Sequence, residues 1–168
     1  MCKYYAGVGS RATPEYICTR LHHIAKYLTI QGYTLRSGGA DGADTAFEQG
    51  CDSLLGSKEI FLPWKQFNNN ASELYKPTQA ALELAEKVHP AWHNCTYGAR
   101  QLHARNMHQI LGQYLDAPVD FVICWTHDRG GTKQATRLAD KLNIPVINLY
   151  TDGEWLDKVK DFTTRKKK

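Results

Sequence analysis

Glycine-rich turns that follow short apolar runs are the sequence feature that most constrains this fold. Three such turns occur, at residues 7–11 (Gly-Val-Gly-Ser-Arg), 37–44 (Ser-Gly-Gly-Ala-Asp-Gly-Ala-Asp) and 130–132 (Gly-Gly-Thr). Without a Cβ, glycine reaches positive φ and lets backbone N–H groups approach a ligand. A helix that begins after the turn adds unpaired donors and the positive end of its dipole. One such turn is also typical of a simple strand–helix connection, but three in a short chain indicate a phosphate-binding edge.

Short apolar runs alternate with segments of helical periodicity along the chain. The runs at residues 4–8, 33–35, 59–62, 119–125 and 145–149 predict strands, and the segments 14–29, 43–51, 77–88, 98–115 and 132–142 predict helices. Several runs are continuously apolar, which suits strands buried on both faces. The alternation predicts an α/β fold, in which helices flank a mostly parallel sheet and right-handed crossovers join the strands.

Length and composition predict one domain at residues 1–163, followed by a basic, disordered tail at residues 164–168. The 168 residues are 42% hydrophobic, and no apolar stretch is long enough to cross a bilayer. The five cysteines are scattered and lack a C-x-x-C pair, so we expect reduced thiols and a cytoplasmic protein. No signal peptide is expected, because Met1 leads directly into a strand-like segment. The net charge of +4 permits anionic partners without requiring nucleic acid.

The turns that begin at Gly9, Ser37, Pro63 and Thr126 all follow predicted strands. In open α/β sheets, ligands bind beyond the carboxyl ends of the strands, near the point where the strand order reverses. We therefore expect these turns to gather around one pocket. The segment 63–77 is too polar and irregular for a core element, and we interpret it as a long functional loop.

These motifs resemble those of a known superfamily. Gly9-Ser10-Arg11 and the 37–44 turn resemble the G-S-R and S-G-x-A-x-G-x-D motifs of the DNA-processing protein A (DprA/Smf) Rossmann fold. The 130–132 turn is similar to the G-G-T of the related LOG, or lysine-decarboxylase-like, proteins. Over residues 4–150 the chain thus resembles the SLOG superfamily, and the stretches Leu62-Pro63-Trp64, Arg105-Asn106 and Cys124-Trp125-Thr126 resemble those of small phage and bacterial DprA-like proteins.

The resemblance implies a Rossmann-like three-layer sandwich, a nucleotide-type ligand and a location in the cytoplasm of a bacterium or a phage-infected cell. Two departures bear on activity. DNA-processing proteins usually carry further domains beside the Rossmann core. LOG phosphoribohydrolases have a glutamate three residues after the motif threonine, where this chain has Ala135. The fold and the class of ligand are therefore implied more strongly than any reaction.

The predicted ligand-binding residues lie in or near these motifs. They are Gly9, Ser10, Arg11, Ser37, Gly38, Gly39, Ala40, Asp41, Gly42, Asp44, Trp64, Arg105, Asn106, Trp125, Thr126, Gly130, Gly131 and Thr132. Arg11 suits a bidentate contact with a phosphate. Ser10 and Ser37 suit either a hydroxyl hydrogen bond to the same anion or a local bond to the backbone. Trp64 and Trp125 suit stacking on a base or packing in the core.

Asp44 and Glu48 are the candidate catalytic residues. Four positions apart on a helix, they share one face and form a carboxylate pair if that face borders the pocket. Asp44 also suits a contact with the helix N-terminus or with a ribose hydroxyl, and Glu48 suits attack on an anomeric carbon. The alternative is a solvated acidic face. Arg105 and Asn106 suit an anion clamp or an exposed basic face.

His89, His93, Cys95 and His103 are residue types that bind metals. Their spacing, H-x-x-x-H-x-C followed by a distant histidine, is looser than that of structural zinc motifs. The sequence therefore predicts no metal site and no required cofactor other than a nucleotide-like ligand.

Three functions are compatible with these residues. The leading hypothesis is a SLOG module that recognises a nucleotide or a nucleotide-derived signal through its phosphate. The second, implied by the DprA resemblance, is single-stranded DNA binding in recombination or DNA processing. Its backbone contacts would be Arg100, Arg105, Lys133, Arg137 and the basic tail. The third is hydrolysis of the N-glycosidic bond of a nucleoside monophosphate by Glu48 and Asp44. We expect a homo-oligomer, because such sheets often pair through surface helices, and no membrane partner.

Overall fold

The computed structural model describes residues 3–127 and 131–165. Within them the element order is β1 (Lys3–Gly9), α1 (Glu15–Ile30), β2 (Tyr33–Ser37), α2 (Ala43–Asp52), β3 (Lys58–Ile60), α3 (Gln79–Val88), α4 (Tyr97–Leu111), β4 (Phe121–Trp125), α5 (Gly131–Lys141), β5 (Val146–Asn148) and α6 (Trp155–Arg165). Short 3₁₀ turns at Phe67–Asn69 and Trp92–Asn94 lie on either side of α3. No helix in these ranges combines the length and apolar character needed to span a membrane.

The described strands form one five-stranded sheet in the order β3-β2-β1-β4-β5, and every pairing is parallel. Tyr5 of β1 pairs with Leu35 of β2, and Ala6 of β1 pairs with Val122 of β4. The chain adds β2 and β3 on one side of β1 and then β4 and β5 on the other, so the strand order reverses between β1 and β4. The predicted α/β fold with a mostly parallel sheet is confirmed.

Helices cover both faces of the sheet and make three layers. One face packs against α1, α2 and α6 through side chains that include Tyr5 and Phe121. The opposite face packs against α3, α4 and α5 through side chains that include Ala6 and Val122. Successive residues of a strand point to opposite faces, and here both faces are buried. This double burial is the reason that the strands are continuously apolar in sequence.

The predicted elements are present, with ends shifted by a few residues, and one helix was not predicted. α4 ends at Leu111, before the expected residue 115, because Gly112 has a φ of 84° and terminates the helix. α6 is the helix that the sequence did not predict, and its buried Val159 packs against the sheet. Residues 164–165 of the predicted tail belong to α6, and residues 166–168 lie outside the described residues.

The predicted loop at 63–77 packs against the turn that follows β2. Its backbone joins the end of β3 through a single bridge between Leu62 and Tyr75. The Asn68 side-chain amide donates to the Gly39 carbonyl at 3.1 Å and to an Asp41 carboxylate oxygen at 2.9 Å. The loop therefore supports the glycine-rich turn at the carboxyl edge of the sheet.

Candidate ligand-binding site

A cavity of about 730 Å³ lies at the carboxyl edge of the sheet. It begins at the end of β1, where the strand order reverses, which is where open α/β sheets bind ligands. The remaining walls come from the start of α2, from α4 and from α5. The described lining residues are Val8, Gly9, Ser10, Arg11, Ala12, Ala40, Asp44, His89, Pro90, Ala99, Leu102, His103, Arg105, Asn106, Gln109, Thr132, Lys133 and Arg137.

Hydrogen bonds hold the turn after β1 so that Ser10 and Arg11 border the cavity. The Ser10 N–H donates to the Trp125 carbonyl of β4 at 3.1 Å, and the Ser10 Oγ accepts the Ala12 N–H at 3.1 Å. Gly42, with a φ of 77°, packs against this turn, and a Cβ there would lie 2.6 Å from the Ser10 carbonyl oxygen. The start of α2 therefore approaches the turn closely, and only glycine fits at position 42.

The cavity is predominantly cationic. Its basic side chains are Arg11, Arg105, Lys133 and Arg137. Lys133 and Arg137 are four residues apart on α5, so they share one face of that helix. Asp44 is the one carboxylate among the described lining residues. This balance of charge favours an anionic ligand.

Arg105 is buried and joins α4 to the neighbouring loops. Its Nε donates to Asn106 Oδ1 at 2.9 Å, and its Nη1 donates to the carbonyl oxygens of Gly38 and Phe61. Burial lowers the pKa of Arg105 to about 10, and the charge of Asp44 opposes that shift. The guanidinium is therefore charged at neutral pH, and its bonds fix the loops after β2 and β3 beside the cavity.

Asp44 is a buried carboxyl group in the first turn of α2, with 4% of its surface exposed. The Ala40 N–H donates to its Oδ2 at 3.3 Å. Burial raises the pKa of Asp44 to about 6, although the Arg105 charge and the N–H groups of Ala40 and Gly9 act to lower it. Asp44 therefore changes its charge just below neutral pH, at the wall of a cavity whose other charged side chains, among the described residues, are basic.

Glu48 does not join Asp44 in the cavity. Its Oε2 lies 2.7 Å from Lys58 Nζ, and its Oε1 accepts the Asn70 side-chain amide at 2.9 Å. Among the described lining residues Asp44 is the only acid, so the cavity holds one carboxyl group rather than the expected pair. The hydrolase hypothesis, which uses both acids, is therefore less well supported by the geometry than a binding function.

The structure brings part of the predicted ligand-binding set together. Gly9, Ser10, Arg11, Ala40, Asp44, Arg105, Asn106 and Thr132 line the cavity. Its described lining does not include Ser37, Gly38, Gly39, Asp41, Gly42, Trp64, Trp125 or Thr126. Gly130 lies outside the described residues, and Gly131 is the first residue of α5.

The residues that lie away from the cavity have contacts within the fold. The Ser37 hydroxyl is buried and donates to the Gly7 carbonyl at 2.6 Å, which ties β2 to β1. Trp125 is 5% exposed and packs in the core, as the alternative interpretation expected. Trp64 is 45% exposed and makes a T-shaped ring contact with Phe67 in the 63–77 loop.

Several lining residues were not predicted as ligand contacts. These are Val8, Ala12, His89, Pro90, Ala99, Leu102, His103, Gln109, Lys133 and Arg137. The sequence predicts Lys133 and Arg137 only as contacts to the backbone of a DNA strand. Their spacing of four residues after a Gly-Gly-Thr turn is nevertheless a signal for a cationic helix face. Leu102 and Gln109 carry no comparable signal, because their position depends on how α4 crosses the sheet.

A group of metal-binding residue types lies at the rim of the cavity. His89, Cys95 and His103 each offer one ligand atom, and these atoms lie within 4.8 Å of one another. His93 is exposed and is not in the group. The Nδ1 of His103 is buried and lacks a hydrogen-bond partner among the described residues. Burial and nearby basic side chains lower the pKa of His103 to about 4, so its ring is neutral at neutral pH.

Solved structures share this architecture at low sequence identity. DNA processing protein A from Helicobacter pylori has a TM-score of 0.63 at 18% identity, over 97% of this chain and 79% of that one. DprA from Streptococcus pneumoniae has a TM-score of 0.60 at 20% identity, over 98% of this chain and 55% of that one. The molybdenum cofactor carrier protein from Chlamydomonas reinhardtii has a TM-score of 0.57 at 17% identity, over 98% of this chain and 85% of that one.

This chain shares the Rossmann-like α/β fold of these DprA structures. No protein-family model and no curated protein matches the sequence. The two motifs that suggested the SLOG fold meet at one edge of the sheet, where Gly9-Ser10-Arg11 lines the cavity and the 37–44 turn packs beside it. At these identities the likeness is one of fold, so the ligand of this protein is argued from the residues of its own cavity.

Proposed function

We propose that this SLOG-fold protein binds a nucleotide or a nucleotide-derived molecule through its phosphate, in the cavity at the carboxyl edge. The observation that carries the proposal is a cavity of about 730 Å³ with Arg11, Lys133 and Arg137 on its walls. Small-molecule and cofactor sites usually measure roughly 300–1,000 Å³. The cavity therefore has room for an organic group in addition to a phosphate.

The phosphate fits best between the turn after β1 and the start of α5. Ser10 and Arg11 line the cavity from one side, and Thr132 and Lys133, in the first turn of α5, line it from the other. The first turn of a helix has unpaired N–H groups and the positive end of the dipole, which favour an anion. An arginine, a lysine and a helix terminus thus converge on the same space.

The organic part of the ligand fits against the wall made by α4 and the segment before it. Pro90, Ala99 and Leu102 contribute apolar surface there, and His89 and His103 contribute flat imidazole rings. A ligand with a charged end and a flat heterocyclic end matches these two unlike walls. Nucleotides have this combination, which is why we favour them over a simple oxyanion.

The first experiment is native mass spectrometry of the purified protein, followed by titration of the nucleotide that it carries, or of a panel of linear and cyclic nucleotides. We expect Arg11→Ala to weaken binding by roughly 10- to 100-fold, since hydrogen bonds to charged groups contribute about 1.5–3 kcal/mol. Arg20→Ala is the matched control, because Arg20 is exposed on α1 and lies over Tyr16, away from the cavity. Equal affinities of the Arg11→Ala variant and the unmodified protein for every nucleotide would contradict the proposal.

Single-stranded DNA binding is the second candidate. The Helicobacter pylori neighbour is described by its single-stranded DNA binding mode, and it shares this fold. In this chain Arg105 is buried, and Arg100 donates to the Trp92 carbonyl at 3.2 Å. Of the other basic residues predicted to contact DNA, Lys133 and Arg137 lie on the cavity wall, and Arg11 joins them there. A DNA strand would be held by these three side chains.

Oligonucleotide length and salt concentration separate the two candidates. If the ligand is a strand, affinity rises from a mononucleotide to a longer oligo(dT), and log K falls with log salt at a slope near −2 for three phosphate contacts, since each contributes about −0.7. If the ligand is a nucleotide, the two probes bind with similar affinity. A length-independent affinity would exclude the DNA candidate, and binding to oligo(dT) alone would exclude the nucleotide proposal.

A further inference from the structure

We propose that His89, Cys95 and His103 form a binding site for one zinc-class metal ion at the rim of the cavity. The sequence predicted no metal site, because the spacing of these residues matches no zinc motif. The tertiary structure brings them together all the same: Cys95 follows the 3₁₀ turn at Trp92–Asn94, and His103 lies on the neighbouring α4. One ligand atom from each residue lies within 4.8 Å of the others.

The separation of two of the ligand atoms fits a tetrahedral ion. Cys95 Sγ lies 3.7 Å from His89 Nε2. Zinc bonds of about 2.3 Å to sulfur and about 2.0 Å to nitrogen, at a tetrahedral angle, place the two ligand atoms about 3.5 Å apart. The ring centroids of His89 and His103 are 4.6 Å apart, so the third ligand is also near.

A buried nitrogen without a partner is the second observation. His103 Nδ1 has no hydrogen-bond partner among the residues that the structure describes. Leaving such a group unpaired costs stability, so buried polar atoms of this kind call for an explanation. An ion bound at this nitrogen would provide the missing interaction, because histidine nitrogen is a zinc ligand and its lone pair would then be coordinated.

Loading the site requires defined proton movements. The Ala91 N–H donates to His89 Nδ1 at 3.0 Å, which leaves the ring proton on Nε2, facing Cys95. Metal binding through Nε2 moves that proton to Nδ1, breaks the Ala91 bond and releases the thiol proton of Cys95 to solvent. One proton is therefore released for each ion bound, and the backbone at residues 89–91 shifts.

The donor set selects the kind of ion. One thiolate and two imidazoles suit Zn²⁺ or Co²⁺, whereas Mg²⁺ and Ca²⁺ prefer oxygen ligands. The Cys95 thiolate also offsets part of the repulsion from Arg137, whose charge acts on both histidines. Three protein ligands leave a fourth position for water. His89 and His103 both line the cavity, so, if the proposed function is correct, this position lies beside the nucleotide.

Cobalt titration of the reduced, full-length protein tests the site. We expect one equivalent of Co²⁺ to give tetrahedral d–d bands and a thiolate-to-cobalt charge-transfer band. Cys95→Ser should abolish the charge-transfer band. His103→Gln should weaken cobalt binding by at least roughly 10-fold, because mutation of residues that only hydrogen-bond to metal ligands already lowers metal affinity by that much. The matched controls are His93→Gln, an exposed histidine outside the group, and Cys18→Ser, a half-buried free cysteine on α1; both should retain the spectrum.

Two results would overturn the proposal. One is a Co²⁺ titration without a charge-transfer band, and the other is a band that persists in Cys95→Ser. Arg11→Ala separates this proposal from the nucleotide proposal, since Arg11 is not part of the metal-binding group. That variant should keep the cobalt spectrum whether or not it has lost nucleotide binding.

Discussion

At the scale of single residues, the burial of Asp44 links the stability of the protein to pH. The folded protein holds the Asp44 proton up to a pH of about 6, whereas the ordinary pKa is 3.8. A raised pKa in the folded state means that the stabilisation is complete below the ordinary pKa and is lost as pH rises through the folded value. The burial of Asp44 therefore costs the folded protein about 2 kcal/mol of stability between pH 4 and pH 7.

We predict that Asp44→Asn removes this pH dependence. Asparagine carries no charge at any pH, so the free energy of unfolding of the variant, relative to the unmodified protein, should rise by about 2 kcal/mol from pH 4 to pH 7. Urea unfolding at pH 4, 5, 6 and 7 measures the difference. Asp41→Asn, which removes an exposed carboxylate three residues earlier, is the control. Parallel pH profiles for Asp44→Asn and the unmodified protein would refute the assignment.

At the scale of elements, two glycines near helix starts have opposite roles. Gly42 precedes α2 with a φ of 77° and lies against the backbone of Ser10 and Arg11. Gly98 lies in the first turn of α4, and a Cβ added there meets nothing within 4 Å. The first glycine is required by the contact between two loops, whereas the second only lowers the stability of its helix.

We predict that Gly42→Ala and Gly98→Ala change stability in opposite directions. Gly42→Ala should lower the free energy of unfolding by about 2 kcal/mol or more, because alanine is strained at positive φ and its Cβ would collide with the turn after β1. Gly98→Ala should raise it by up to about 1 kcal/mol, since alanine favours a helix. Chemical denaturation of both variants gives the comparison. An unchanged stability for Gly42→Ala would contradict the close contact between the start of α2 and the turn after β1.

At the scale of the whole molecule, a ligand in the cavity would connect the two sides of the sheet. Ser10 follows β1, Asp44 belongs to α2 on one face, and Lys133 belongs to α5 on the other. A ligand that contacts all three binds only the folded state, and it therefore stabilises the fold in proportion to its occupancy. Stability thus reports binding without any label on the ligand.

We predict that a nucleotide at 100 times its dissociation constant raises the free energy of unfolding by about 2.7 kcal/mol. For Arg11→Ala at the same concentration the increase should be only about 0.4 to 1.4 kcal/mol, because the dissociation constant is then roughly 10- to 100-fold higher. Denaturant unfolding with and without the nucleotide measures both values. An equal increase in the two proteins would place the ligand elsewhere.

The expected homo-oligomer remains a prediction. Light scattering gives the mass of the protein in solution, and the mass of a monomer would contradict this prediction.

The architecture, and the edge of the sheet at which the cavity lies, follow from the amino-acid sequence alone. Continuous apolar runs, helical periodicity and glycine turns are local properties, and each acts through the backbone of its own segment. Parallel strands then place their carboxyl ends on one edge, so the sequence assigns Gly9, Ser10 and Arg11 to that edge. The helix α6 was missed because its apolar residues are sparse and its burial depends on the sheet.

Which side chains meet at that edge depends on tertiary packing. Glu48 and Asp44 share a helix, yet Lys58 of β3 pairs with Glu48 while Asp44 faces the cavity. Trp125 lies at the end of β4, at the same edge of the sheet as Ser10, but its side chain is buried in the core. His103 lies beside His89 and Cys95 because of how α4 packs against the segment 89–95. The spacing of these residues in the sequence does not predict that contact. Periodicity specifies the face of an element, whereas its partners depend on packing between segments that are distant in sequence.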